Sequence, residues 1–132
     1  MLKQHLALLV MPLERRAQLL NHLVGIEVDI MTASSCSEAA GLLRAVPAFH
    51  LVLTDLALPD GGWFDVLNLA ADINPDLRVV VCARLADERL WSQILEAGAF
   101  DILVEPYQDA EVARIVCAAS TAALQGELAA AG

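Results

Sequence analysis

Aromatic residues, basic residues and long apolar runs are all scarce in this sequence, and each shortage excludes something. Aromatics are 5% of 132 residues, so any core must be built from aliphatic side chains. Hydrophobic residues reach 58%, which excludes a disordered chain. They never gather into a spanning segment. A membrane helix needs roughly 20 consecutive apolar residues, and the early run Leu6 to Leu13 stops at Glu14, Arg15 and Arg16. No small-residue cleavage site follows that run, so no secretory signal is expected. Eight Lys and Arg stand against 17 Asp and Glu, a net charge of −9. Nucleic-acid binding needs a basic face, and anionic membranes repel such a chain, so neither partner is expected. Cys36, Cys82 and Cys117 are too few and too far apart for a disulfide framework or a zinc site. Buried free thiols in a cytoplasmic protein are the expectation.

What is present is an alternation of two hydrophobic patterns. Leu6 to Val10 is a short continuous apolar run, suited to a strand buried on both faces. Pro12 suits the first turn of a helix. Leu13, Ala17, Leu20 and Val24 then recur at helical spacing and are expected to face inward, with Gly25 ending the helix. Val28 to Met31 reads as a second strand. Ser35 and Glu38 stand at capping-box spacing, before a stripe of Ala39, Leu42, Leu43 and Val46 stopped by Pro47. Leu51 to Leu53 form a third strand ending in Thr54 and Asp55, and Leu58-Pro59-Asp60-Gly61-Gly62 is a turn by composition. A third helix carries Val66, Leu69, Ala70 and Ile73. Val79 to Val81 is a fourth strand. Asp87 caps a helix with Leu90, Ile94 and Ala97 inward and Gly98 at its end. Ile102 to Val104 is a fifth strand. A last helix buries Val112, Ile115, Val116, Ala119 and Ala123, with Glu111 and Arg114 exposed. The chain divides into a domain over 1–126 and a short Ala-rich tail over 127–132 that is expected to fray.

Five strand–helix units in strict alternation imply an α/β domain, a parallel sheet with helices on both faces. In such sheets the functional crevice lies beyond the carboxyl ends of the strands. Topology alone therefore directs attention to Met11, Pro12, Asp55, Cys82, Ala83, Arg84, Glu105 and Pro106. Arg84 and Glu105, at neighbouring strand ends, are expected to pair. Asp55 and Glu105 could otherwise share a cation. Trp63 and Trp91 are expected to cover helix packing, and His5, His22 and His50 to be structural.

Three stretches of text resemble the receiver domain of two-component response regulators. The first is Leu51-Val52-Leu53-Thr54-Asp55 followed by Leu58-Pro59-Asp60-Gly61-Gly62. The second is Leu95-Glu96-Ala97-Gly98-Ala99-Phe100-Asp101. The third is Thr32-Ala33-Ser34-Ser35 with Glu38-Ala39. The resemblance implies a flavodoxin-like (βα)5 fold with strand order 2-1-3-4-5 and a phosphoacceptor at Asp55. In that family two acidic residues after the first strand hold Mg²⁺. A hydroxyl after the fourth strand and a Lys after the fifth bind the phosphoryl oxygens, and an aromatic on the fifth strand relays the change.

The chain departs from that pattern at each supporting position. Met11 and Pro12 replace the acidic pair, Cys82 the hydroxyl (before the common Ala83-Arg84), Ile102 the aromatic and Glu105 the Lys, while Pro106 and Tyr107 fit. The resemblance also implies a cis bond at Glu105-Pro106. Met and Pro side chains offer Mg²⁺ no oxygen. Exchanging Lys for Glu reverses a charge worth about 3 kcal/mol at roughly 5 Å and an effective dielectric near 20. The expectation is a stand-alone, non-enzymatic signalling module with its Mg²⁺ site lost, phosphorylation of Asp55 impaired, and no cofactor. Its partners would be proteins, such as a histidine kinase, an effector or a second copy of the chain. The alternatives are a working phosphoacceptor, which needs unexpected positive charge near Asp55, for instance from Arg84, and a flavodoxin-like cofactor binder, which the Met11-Pro12-Leu13-Glu14 loop suits poorly.

Overall fold

The computed structural model describes residues 5–131 apart from 47 and 86. The helix stop expected at Pro47 lies outside the described residues. Among the described residues seven strands and five helices follow in order: β1 His5–Val10, α1 Leu13–Leu23, β2 Val28–Ala33, α2 Cys36–Ala45, β3 Leu51–Asp55, β4 Ala57–Leu58, β5 Gly61–Gly62, α3 Trp63–Ile73, β6 Arg78–Ala83, α4 Glu88–Glu96, β7 Asp101–Val104 and α5 Asp109–Ala131. Five strands make one sheet in the order β2-β1-β3-β6-β7, every neighbouring pair parallel. Because β4 and β5 pair only with each other, this is the expected 2-1-3-4-5 order of the flavodoxin-like fold. The expected turn after Asp55 is thus a miniature hairpin, with Leu58 opposite Gly61.

Each central strand is buried on both sides, and the period of two sends alternate residues to opposite faces. Ala7, Leu9, Leu51, Leu53, Val80 and Leu103 pack under α1 and α5. Leu8, Val10, Val52 and Val79 pack under α2 and α3. A third cluster joins Val81 and Ile102 to Ile94 of α4. Ser35 Oγ accepts the Glu38 N–H at 3.1 Å, and Asp87 Oδ1 accepts the Leu90 N–H at 2.8 Å, so both expected N-caps form. Gly98 follows α4 at φ 108°, a conformation that favours glycine.

Three expectations need correction. The stripe Leu13, Ala17, Leu20 and Val24 is not the inward face of α1, since of these four only Leu20 packs against the core. Leu13 is 72% and Val24 80% exposed, while Leu19 and Leu23 are buried. Positions 15, 19 and 23 share one face at intervals of four, so the inward stripe begins with Arg15. Ala97 is exposed; it is the C-cap residue just beyond the end of α4 at Glu96. Of the three thiols only Cys82 is buried; Cys36 is half-buried and Cys117 exposed. The last helix runs past Gly126 to Ala131; alanine's high helix propensity suits that continuation. Among the described residues, no helix is long and apolar enough to cross a membrane.

Candidate functional site

The third strand delivers the central carboxylate. Leu51 and Leu53 face α1 and α5, so Asp55, two residues further, lies on that face at the carboxyl edge of the sheet. It is 5% exposed. Oδ1 accepts the Leu56 N–H at 2.9 Å. Oδ2 accepts the Nε–H of Arg15 at 2.5 Å. The same guanidinium reaches Glu105, with Nη2 3.6 Å from Oε1. The arginine of α1 thus bridges Asp55 and Glu105.

Arg15 reaches the site from the first turn of α1. Leu19 and Leu23 anchor that helix against the sheet, and the long arginine stem extends over the strand ends. Burial alone would lower the Arg15 pKa. The hydrogen bond and charge of Asp55, with Glu105 and Tyr107 behind, more than offset it and raise the pKa. The guanidinium is a permanent cation here. Its neighbour Arg16 serves the scaffold: Nε donates to the Met11 carbonyl at 2.9 Å and Nη2 to Ser34 Oγ at 2.5 Å, tying α1 to the ends of β1 and β2.

The other candidate positions divide into lining and core. Pro12, Arg15, Asp55, Leu56, Ala57, Arg84 and Leu85 line a cleft of about 310 Å³. Met11 is fully buried and belongs to the cluster under α1 and α5. Cys82 lies opposite Asp55 in the β3–β6 register, fully buried. Burial, then the Asp55 charge, pushes its thiol up to about 12, so it stays protonated. Ala83 is buried at the end of β6. Ile102 is 1% exposed and packs with Val81, Ile94 and Ala99; it is a core residue. The Glu105-Pro106 bond is cis. Tyr107 is buried in the same cluster as Cys82, and its hydroxyl is pushed up by burial and by the neighbouring thiol and Glu105. The expected Arg84–Glu105 pair does not form: among the described residues Glu105 pairs with Arg15, and Arg84 is exposed at the mouth of the cleft.

The loop after β3 is itself braced. Asp60 accepts the Cys36 N–H at 2.7 Å and the Ser37 N–H at 3.0 Å, capping α2 from another element. Those bonds hold the Asp60 carboxyl below its usual range. Asp65 Oδ2 accepts the Gly62 N–H at 3.0 Å. Asp55 is therefore followed by a pinned hairpin.

The chain is similar to known proteins in sequence and in fold. The chain is 32% identical over 93 residues to the response regulator protein PilR of Pseudomonas aeruginosa, covering 70% of this chain and 21% of PilR. It is 26% identical over 62 residues to the chemotaxis protein CheY of Thermotoga maritima, covering 47% of this chain and 52% of CheY. Among solved structures, the HemR receiver domain of Leptospira biflexa superposes with a TM-score of 0.75 at 27% identity, covering 89% of this chain and 94% of that one. This is a response-regulator receiver domain. The receiver of a LuxO repressor protein from Vibrio parahaemolyticus has the same fold, with a TM-score of 0.82 at 22% identity over 95% of this chain and 96% of that one. No family model matches the sequence. The receiver spans about a fifth of PilR and about half of CheY.

Arg15 escaped the reading of the sequence. The available signal was the Arg15, Leu19, Leu23 spacing, which competes with Leu13, Ala17, Leu20 and Val24 for the inward face of one helix. Hydrophobicity favours the second set, because it rates an arginine as exposed.

Proposed function

We propose that this receiver domain works in two-component signalling by protein–protein contact in the cytoplasm, with Asp55 held in an ion pair and its magnesium-dependent phosphorylation impaired. The observation that carries the reading is the 2.5 Å contact between Arg15 Nε and Asp55 Oδ2. Acyl-phosphate formation needs a free carboxylate oxygen aligned on phosphorus. Here one oxygen is held by Arg15 and the other by the Leu56 N–H.

The surrounding side chains support the same reading. Mg²⁺ takes oxygen ligands in near-octahedral geometry. The residues after β1 are a buried thioether, Met11, and Pro12. Among the described residues no group of three or more His, Cys, Asp or Glu could hold a metal. The donor set does not fit that ion. Cys82 offers a weak S–H donor in place of a hydroxyl. Glu105 would place negative charge near an incoming phosphoryl group. Output would then come from a partner that reads the folded surface: a histidine kinase, an effector protein or a second copy.

A second reading has one observation in its favour. Arg15 supplies the cation that the sequence seemed to lack, and a guanidinium can offset phosphoryl charge. One experiment separates the two. The protein is incubated with acetyl phosphate, with and without Mg²⁺, and followed by intact mass. The impaired acceptor gains no prompt phosphoryl group. A rapid gain that Asp55→Ala abolishes establishes the working acceptor instead.

A further inference from the structure

We propose that the cavity at the amino edge of the sheet, between β1, β2 and α5, is a second binding site, and that it takes a small organic ammonium ion with an apolar body. Parallel strands put Asp55 at one end of the sheet, while His5 and Val28 open β1 and β2 at the other. The cavity there measures about 240 Å³. Ile26, Val28 and Val116 give it apolar walls, and His5, Glu27 and Ser120 bring polar side chains to it. The proposal stands on this end of the fold and does not depend on how Asp55 is used.

Two polar atoms of those side chains, Ser120 Oγ and His5 Nδ1, are buried without a hydrogen-bond partner. Ser120 is 1% exposed. A buried polar atom left unpaired is costly, so two around one cavity mark where a ligand would be held. His5 meets His50 edge to face, with ring centroids 5.5 Å apart. Burial, then the charge of His50, lowers the His5 pKa. A neutral imidazole with its proton on Nε2 presents Nδ1 as an acceptor. A serine hydroxyl also accepts, and an ionised Glu27 carboxylate does nothing else. Three acceptors, one of them negative, among apolar walls suit an ammonium group, which has three N–H donors and no acceptor. Among the described residues no group of three or more His, Cys, Asp or Glu could hold a metal ion, which leaves an organic cation. Glu27 at the rim and a net charge of −9 disfavour an anion.

Phenethylammonium serves as the probe, with phenethyl alcohol as its uncharged counterpart of the same shape. Binding is read in the folded protein from backbone amide NMR shifts. At millimolar concentration the amine should give saturable shifts at Val28, Cys117 and Thr121. It should also slow alkylation of Cys117, an exposed thiol that lines the same cavity. The alcohol should bind about tenfold more weakly, because charge-assisted hydrogen bonds are the stronger ones. Ser120→Ala should weaken the amine about tenfold, as losing a hydrogen bond to a charged group does. Glu27→Gln, an exposed position, should weaken it about threefold. If the wild type shows no saturable shift, water alone satisfies Ser120 and His5 and the proposal is overturned. An alcohol that binds as tightly as the amine overturns the ammonium assignment, and binding undiminished in Ser120→Ala overturns the site. The wild-type arms decide even where a variant fails to fold.

Discussion

Arg15 and Asp55 are 40 residues apart in sequence and 2.5 Å apart in space. The pair joins the first turn of α1 to the end of β3, and Glu105 draws the end of β7 into the same contact. A buried carboxylate left without its partner is costly.

The first prediction concerns that cost. Arg15→Ala should destabilise the domain by ~1–3 kcal/mol at neutral pH, less than a fully buried pair because both side chains keep some solvent contact. Asp55→Asn should cost less, since no uncompensated charge remains. The double variant should be more stable than the sum of the two predicts. Urea denaturation of all four proteins measures the coupling; strict additivity would show that the contact contributes nothing.

The thiols should report their environments. Burial lifts Cys82 from 9.0 to about 12 and Cys36 to about 11, so both stay protonated in the native state at pH 8. Exposed Cys117 should react first with a thiol reagent, Cys36 slowly, and Cys82 only on unfolding. Linkage has the matching sign. Because the folded values exceed the unfolded ones, this stability is complete below pH 9 and declines as pH rises toward 11 and 12. Cys82→Ala should flatten the alkaline decline, as pH-dependent melting would show.

Two glycines should behave oppositely. A Cβ on Gly62 would lie 2.7 Å from the Leu56 carbonyl oxygen, a backbone atom that cannot easily yield. Gly62→Ala should cost ~1–3 kcal/mol and loosen the hairpin after Asp55. Gly41 is inside α2 with nothing within 4 Å of a new Cβ. Gly41→Ala should stabilise by ~0.5–1 kcal/mol through helix propensity and a less flexible unfolded chain. Thermal melts of the two variants should move in opposite directions.

Ile102 should behave as packing. It is 1% exposed against Val81, Ile94 and Ala99. Ile102→Val should cost ~0.5–1.5 kcal/mol. Ile102→Tyr, which restores the aromatic of related receivers, should overpack the cluster and cost ~1–3 kcal/mol. A Tyr variant as stable as the wild type would reveal an open slot at this position.

Much of the architecture was legible beforehand because strands buried on both faces read as continuous apolar runs. Leu51 to Leu53 and Val79 to Val81 could be little else. The caps at Ser35 and Asp87 were legible because capping is local chemistry. The β4–β5 hairpin was less so: two-residue strands leave no periodicity to detect. Glu105 was expected to face Arg84 because both stand at neighbouring strand ends, but sequence adjacency of elements says nothing about a long side chain arriving from a helix above.

By itself, then, the amino-acid order determined the succession of elements, the parallel sheet and the placing of Asp55 at a strand end, since each follows from hydrophobic period and local turn chemistry. Tertiary structure alone decided the partner of that carboxylate. Two faces of α1 had comparable claims to point inward, and only packing of Leu19 and Leu23 against the sheet chose between them. That choice turned Arg15 toward Asp55, because a helix docks as a rigid body and carries every side chain on its buried face with it.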